Sequence, residues 1–381
     1  MTPPIVAVIG GGQLARMMAP EATELGIVLR VLVESEEAAA ALPAHETVVG
    51  LPRDPDAVAR LLAEPRPAVL TWEHEHIPAE VFAAAEAVGV PARPGLDALI
   101  YAQDKIEMRR RMDALGLPNP DWAPVTTEAE VADFLDSHGG EAVLKTARGG
   151  YDGKGVRVIT EATDASDWLA AAADGGPRVL IEQKVPYVRE LAALAARRPS
   201  GDVVTWPVVD SIQRDGVCSE VIAPATGLTA QEESEAREVA TRIATELGVV
   251  GVLAVEMFDT GEHVLINELA MRPHNSGHWT QDGSVTSQFE QHLRAVLDLP
   301  LGSTAATAPV TVMANVLGGA REDLPAALAD VHDPDAKIHL YAKGVRAGRK
   351  VGHVNLSGAD ADDVYGRAVA AAAIVRDGGA T

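Results

Sequence analysis

Ile5-Val-Ala-Val-Ile-Gly-Gly-Gly-Gln-Leu-Ala-Arg16 joins an apolar run, three glycines and the opening of a helical pattern. A short apolar run bounded by glycine predicts a buried strand. The helical pattern continues to Leu25, and a second apolar run spans Ile27–Val33. Strand, glycine turn, helix, strand is the βαβ crossover that a parallel sheet requires. The alternation continues, with Asp54–Leu62 predicting a helix, Ala68–Thr71 a strand and Pro78–Val88 another helix. Pro91, Pro94 and Gly95 interrupt it, so a Rossmann-like parallel-sheet domain is expected over residues 1–100.

The same turn fits G-x-G-x-x-G/A through Gly10, Gly12 and Ala15, with Glu34 roughly the 20 residues beyond that a dinucleotide fingerprint expects. An NAD-dependent enzyme is one reading. Another small anion at the helix start, or a tight turn with no ligand, fits as well.

Composition narrows the classes. The chain has 381 residues, and 55 acidic against 32 basic side chains give a net charge of −23. That charge argues against a general binder of nucleic acid or anionic membrane. Hydrophobic residues make up 47%, enough for a sizeable core. The single cysteine, Cys218, excludes an internal disulfide and fits a reducing compartment. With no apolar run of about 20 residues and no basic leader, a soluble cytoplasmic protein is expected.

Beyond residue 100 the pattern becomes α+β. Asp104–Leu115 predicts a helix, and Pro118, Pro120 and Pro124 a linker. Thr127 with Glu130 forms a capping box that opens another helix. Strands are expected at Ala142–Thr146, Val156–Ile159 and Arg178–Ile181, and a long helix at Gln231–Leu247. Val252–Phe258 and Val264–Leu269 flank Asp259-Thr-Gly-Glu262 and read as an antiparallel hairpin. A second boundary is placed near Leu301. Strands Val310–Leu317 and Lys337–Ala342 and a helix from Asp360 to Arg376 follow it.

Four places carry chemistry. Lys145 ends a strand and precedes Arg148-Gly-Gly-Tyr-Asp-Gly-Lys-Gly155, a mobile cationic glycine loop suited to phosphates. Glu256 and Asn267-Glu268 sit on the two hairpin strands, and two carboxylates with an amide oxygen suit Mg²⁺ bridging ATP phosphates. Arg272-Pro-His-Asn-Ser-Gly-His278 follows directly as a donor-rich loop. Lys343, Arg346, Arg349 and Lys350 gather cations in an acidic chain, which suits a substrate phosphate. Glu73 and Glu75 alternate with His74 and His76 after the Ala68–Thr71 strand, with no third metal ligand apparent.

Together these pieces resemble the ATP-grasp enzymes, and within them the 5-(carboxyamino)imidazole ribonucleotide synthases of purine biosynthesis. Gly10–Met17, Gly150–Gly155, Asn267–Ala270, His274–Thr280 and Lys343–His353 carry the resemblance, in family order along nearly the whole chain. It implies an ATP-grasp domain over 101–301, with subdomains of about 101–184 and 185–301, and a small β-rich C-terminal domain over 302–381. It implies ATP, bicarbonate and 5-aminoimidazole ribonucleotide as substrates, Mg²⁺ as cofactor, carboxyphosphate as intermediate and a homodimer.

By the same resemblance Lys105, Lys145, Gly150–Val156 (Gly150, Tyr151, Asp152, Gly153, Lys154, Gly155 and Val156), Glu182, Gln183, Lys184, Val185, Glu190, Gln213, Asn267 and Glu268 would serve ATP. Glu256 and Glu268 would hold Mg²⁺. Tyr151, Lys154, Arg272, His274 and Asn275 are the implied catalytic residues. Gly12, Gln13, Leu14, Glu73, Glu75, Asp152, Ser276, Lys343, Arg346, Arg349 and Lys350 would bind the substrate. Lys105 stands where relatives often have Arg, and Gln213 where they can have His. Another ATP-grasp ligase, such as the formate-dependent glycinamide ribonucleotide transformylase, is the alternative enzyme. A non-catalytic nucleotide-binding regulator would need neither both hairpin carboxylates nor a second anion site.

Overall fold

Four strands in the first hundred residues, β1 (Ile5–Ile9), β2 (Val28–Val33), β3 (Glu46–Val49) and β4 (Val69–Trp72), pair in parallel in the order β3-β2-β1-β4. The architecture is that of a computed structural model describing residues 2–150 and 155–378. β1 and β4 are buried throughout, because crossover helices cover both faces of a parallel sheet. The exposed outer strand β3 has no apolar alternation, so the sequence carries no signal for it.

A second sheet is antiparallel, in the order β5-β8-β6-β7: β5 (Trp122–Val125), β6 (Ala142–Thr146), β7 (Val156–Ile159) and β8 (Val179–Gln183). β5 occupies the stretch read as a proline linker. It lies at the sheet's edge, where Pro124 removes no ladder bond that the sheet needs. The capping box forms as expected: Glu130 N–H donates to Thr127 Oγ1 and Thr127 N–H to Glu130 Oε2, opening the helix Glu128–Ser137.

The third sheet takes the rest of the chain. Its strands are β9 (Arg189–Arg197), β10 (Val203–Thr205), β11 (Val209–Arg214), β12 (Val217–Ala223), β13 (Gly251–Asp259), β14 (Val264–Ala270), β15 (Val310–Leu317), β16 (Lys337–Leu340) and β17 (Lys350–Gly358). The order is β14-β13-β9-β11-β12-β15-β17-β16, with β10 beside β9. β15 pairs with β12 and β17 with β15, so the sheet runs on into the C-terminal region. The helix Ala361–Asp377 covers β15 and β17.

The first and third sheets share cores, while the second has its own around Leu144, Ile159 and Ile181. Ile9, Leu32 and Trp72 pack in one buried cluster with Leu253, Val255 and Ile266 of the hairpin. Phe289 and Leu293 of the helix Gln288–Val296, with Tyr341, pack against Val6, Val8 and Leu29. Burying each such side chain contributes roughly 1.5–3 kcal/mol. The elements around the hairpin's end are therefore held in one packed body.

Candidate active site

The β13–β14 hairpin places Glu256 directly opposite Glu268. A bulge follows: Met257 pairs with Ile266, which leaves Asn267 as the extra residue. Strict alternation would send Asn267 and Glu268 to opposite faces, but the bulge brings both to one cleft. Asn267 Oδ1 accepts from Lys145 Nζ at 3.1 Å, and Glu268 Oε2 lies 3.2 Å from Lys105 Nζ. Burial, with Glu268 and then Glu190 beside it, pushes the Glu256 carboxyl up to about 8. A divalent cation would offset that crowding of carboxylates. Among the described residues no group of three His, Cys, Asp or Glu could hold a metal alone. Two carboxylates that leave the remaining positions to phosphates and water fit Mg²⁺ bound jointly with a nucleotide.

Lys145 ends β6, and its neighbour across the ladder is β8. Its Nζ lies 2.7 Å from Glu182 Oε2. The Arg109 guanidinium grips the same carboxylate through Nε at 2.8 Å and Nη2 at 3.0 Å. Burial alone would raise the Glu182 carboxyl, but Arg109 and Lys145 outweigh it and hold it at about 2. Burial depresses Lys145 in turn, against the pull of Glu182. The Glu182 carboxylate is thus committed to the two cations, while Gln183 N–H donates to Asp121 O at 2.8 Å and Val185 O accepts from Tyr187 N–H at 3.0 Å. Lys184 turns outward and pairs with Glu141 at 2.6 Å. Glu190 opens β9 beside Tyr187, and burial raises its carboxyl. Asp104 caps the helix Lys105–Ala114 and takes both Arg148 (2.8 Å) and Arg178 (2.9 Å), tying the base of the glycine loop to that helix.

On the other side of the carboxylates lies the 272–278 loop. Arg272 Nε donates to Glu75 Oε2 at 2.8 Å. His274 Nε2 sits 3.7 Å from Glu256 Oε1, and its Nδ1 is 2.9 Å from Ser276 Oγ. Burial, then Arg272 and Lys350, pushes His274 well below its ordinary value, so its ring is neutral. Gln288 fixes the loop by accepting from His274 N–H and donating to its carbonyl, each at 2.8 Å. Among the described residues neither amide atom of buried Asn275 meets a nitrogen or oxygen partner, and its one polar neighbour is the weakly bonding thiol of Cys218, so a polar ligand here would recover about 1–3 kcal/mol.

The glycine turn is filled from within. The N–H groups of Gly12, Leu14 and Ala15 all donate to the Glu73 carboxylate, the latter two at 3.1 Å. A Cβ at Gly10 or Gly12 would overlap Glu73, which accounts for those glycines. A dinucleotide pyrophosphate would have to displace that carboxylate, so the NAD reading fails here. Gln13 Oε1 accepts from Lys343 Nζ, which brings the C-terminal cations to the turn. The charge of Lys350 reaches Glu256 and His274. Arg346 and Arg349 are exposed, and Arg349 bonds its own loop at Gly344 O. Gln213 bonds Ser211 Oγ at 3.0 Å on β11. His74 and His76 stand 6.1 Å apart between ring centres. Gly150, Gly155 and Val156 border the glycine loop, and Tyr151, Asp152, Gly153 and Lys154 lie outside the described residues.

Arg109 is the residue that sequence reasoning missed. Its signal is slight: an arginine one helical turn beyond Lys105, on the face that carries Ile106, Met108 and Met112 inward.

Family models match three consecutive stretches. They are described as ribonucleotide synthetase preATP-grasp domain (residues 4–103), ATP-grasp domain (110–289) and phosphoribosylaminoimidazole carboxylase C-terminal domain (311–367). The N5-carboxyaminoimidazole ribonucleotide synthase of Mycobacterium tuberculosis is 48% identical over 375 residues, 97% of this chain and 87% of the relative. The chain belongs to the N5-carboxyaminoimidazole ribonucleotide synthase family. The family's Thermus thermophilus structure superposes with a TM-score of 0.85 at 37% identity, covering 95% of this chain and 96% of that one. The Aspergillus clavatus synthase, in complex with ADP and 5-aminoimidazole ribonucleotide, gives 0.87 at 30% identity over 98% and 99%. Membership makes this chain an ATP-dependent ligase, and it bears out the expected fold class: an N-terminal parallel sheet, a central ATP-grasp domain and a β-rich C-terminal part.

Proposed function

We propose that this cleft carboxylates the exocyclic amine of 5-aminoimidazole ribonucleotide with ATP and bicarbonate, in purine biosynthesis. One observation supports the reading above others: the opposed carboxylates of Glu256 and Glu268 lie between buried Lys145 and the 272–278 loop, whose His274 comes within 3.7 Å of Glu256.

A bicarbonate oxygen attacks the γ-phosphorus of ATP, the bond to the β–γ bridging oxygen breaks, and ADP leaves. The amine then attacks the carbonyl carbon of carboxyphosphate, or of CO₂ released from it with phosphate. Phosphate and the amine proton leave, and the carbamate remains. Lys145, fixed by Glu182 and Asn267, neutralises charge on the phosphoryl group as it transfers. Mg²⁺, held by Glu256 and Glu268, supplies further charge neutralisation when bound. Arg272, braced by Glu75, and neutral His274 with Asn275 and Ser276 orient bicarbonate and the imidazole. Lys343 and Lys350 serve the ribose 5′-phosphate. Tyr151, Asp152 and Lys154 are assigned to the substrates on the family resemblance. A homodimer and a cytoplasmic location belong to the same reading, and among the described residues no helix is long and apolar enough to cross a membrane.

The test is ADP release with bicarbonate and 5-aminoimidazole ribonucleotide, singly and together. Full turnover is expected only with both. Turnover driven instead by formate and glycinamide ribonucleotide would move the chain to the transformylase reading.

A further inference from the structure

The Arg109 side chain is fully buried in a cleft where no substrate contact has been assigned to it. A guanidinium has five N–H donors, and all five are engaged. Nε donates to Glu182 Oε1 at 2.8 Å, and Nη2 to Glu182 Oε2 at 3.0 Å and to Asn267 O at 2.9 Å. Nη1 donates to Ile266 O at 2.6 Å and to Asn119 Oδ1 at 2.7 Å. The acceptors belong to different sheets. Glu182 is on β8 and holds Lys145 with its other side, while Ile266 and Asn267 are the two residues of β14 just before Glu268.

We propose that Arg109 is a positioning residue that fixes the phosphate lysine Lys145 relative to the metal carboxylate Glu268 across the cleft. The proposal rests on the reading of that cleft as the ATP-dependent carboxylation site. Two physical arguments favour it over a purely structural role. A buried ion pair is weak evidence for stability, because a well-packed apolar replacement is often as stable. The planar fork is also used in full: one edge grips a carboxylate on one sheet, two further donors hold carbonyls on another, and the fifth takes the Asn119 side chain. A lysine ammonium, a single point of charge, cannot span both.

The test is Arg109→Lys, which keeps the charge and loses the fork, with folding checked by circular dichroism. Turnover and Mg-ADP affinity measured by calorimetry should each fall about 10- to 100-fold, as for lost supports of metal ligands. The Michaelis constant for 5-aminoimidazole ribonucleotide should stay within about twofold, since Arg109's partners among the described residues are Glu182, Ile266, Asn267 and Asn119 and not the 272–278 or 343–350 stretches. A loss of stability alone would lower the amount of active enzyme and leave these constants in place. The proposal is overturned if folded Arg109→Lys keeps Mg-ADP affinity and turnover within about twofold of the parent, or if the imidazole constant rises in parallel.

Should the variant not fold, guanidinium proton exchange in the unaltered protein decides. Slow exchange of the Arg109 N–H groups, with and without Mg-ADP, is expected. Fast exchange in the Mg-ADP complex overturns the proposal. If the unaltered protein binds Mg-ADP but releases no ADP with bicarbonate and the imidazole, the carboxylation reading fails while the Arg109 arms still report.

Discussion

The glycine turn at Gly10–Gly12 and the lysine at the end of β6 both look like anion sites, and both hold a carboxylate of the protein itself. At the turn, Glu73 accepts from backbone N–H groups, with the Lys343 charge nearby, and burial still pushes its carboxyl up. At Lys145, Glu182 meets a guanidinium and an ammonium together and is held at about 2. At Glu73 burial outweighs the backbone dipoles and Lys343 together. Two full cations make Glu182 a permanent anion. The first carboxylate closes a turn, and the second holds other side chains in place.

The largest expected effect tests the Lys145 side. Glu268→Gln and Lys145→Ala should each lower ATP turnover by about 100-fold or more, in the range reported for lost electrostatic stabilisers, without unfolding the protein. Coupled ADP-release assays with circular dichroism check both. Near-normal turnover in Glu268→Gln would remove the metal assignment.

Next comes Glu182→Gln. The folded carboxyl is depressed from 4.5 to about 2, which at 1.36 kcal/mol per unit is about 3 kcal/mol of stability. A depressed acid stabilises the fold above its unfolded value, and that contribution is lost as pH falls through the folded one. The gap between wild type and Glu182→Gln in urea midpoints should therefore be full above pH 4.5 and close as pH falls toward 2. A gap that does not change with pH would mean the carboxylate is not the anion inferred here.

Lys343→Ala should raise the Michaelis constant for 5-aminoimidazole ribonucleotide about tenfold, the value of one charge-assisted contact, and leave that for ATP unchanged. Arg346→Ala, at an exposed position, should do less. Steady-state kinetics with each substrate varied would show whether the two cations rank in that order.

The smallest effect is expected from Glu73→Gln, about 1 kcal/mol for imperfectly replaced backbone acceptors. Its pH trend should oppose that of Glu182. A raised acid contributes stability below its unfolded value and loses it as pH rises, so the variant should gain on the wild type above pH 4.5. Parallel trends in the two variants would break the comparison.

Much of the fold was legible because single segments carried it. The apolar runs at Ile5–Ile9 and Val310–Leu317 became strands with those bounds, and the two hairpin strands found each other across Asp259–Glu262. The cleft was legible where chemistry clustered along the chain. What escaped depends on partners far away in sequence. Glu73 caps a turn 58 to 61 residues distant, and Arg109 bonds a carboxylate 73 residues away. The bulge at Asn267 is a property of the pair of strands and not of either one. β5 was hidden because Pro124 reads as a breaker unless its strand is known to lie at an edge.

The pairing of β12 with β15 has a consequence for how the chain comes into being. Residues 217–223 leave a ribosome well before their partners at 311–314 exist. Until then residues 220–223, paired with β11 on one side, present bare amides and carbonyls on the other, the kind of template on which other chains assemble. The last eighty or so residues thus supply the cover for that edge only late in synthesis. A gene truncated before residue 310 should therefore yield insoluble protein instead of a soluble nucleotide-binding fragment.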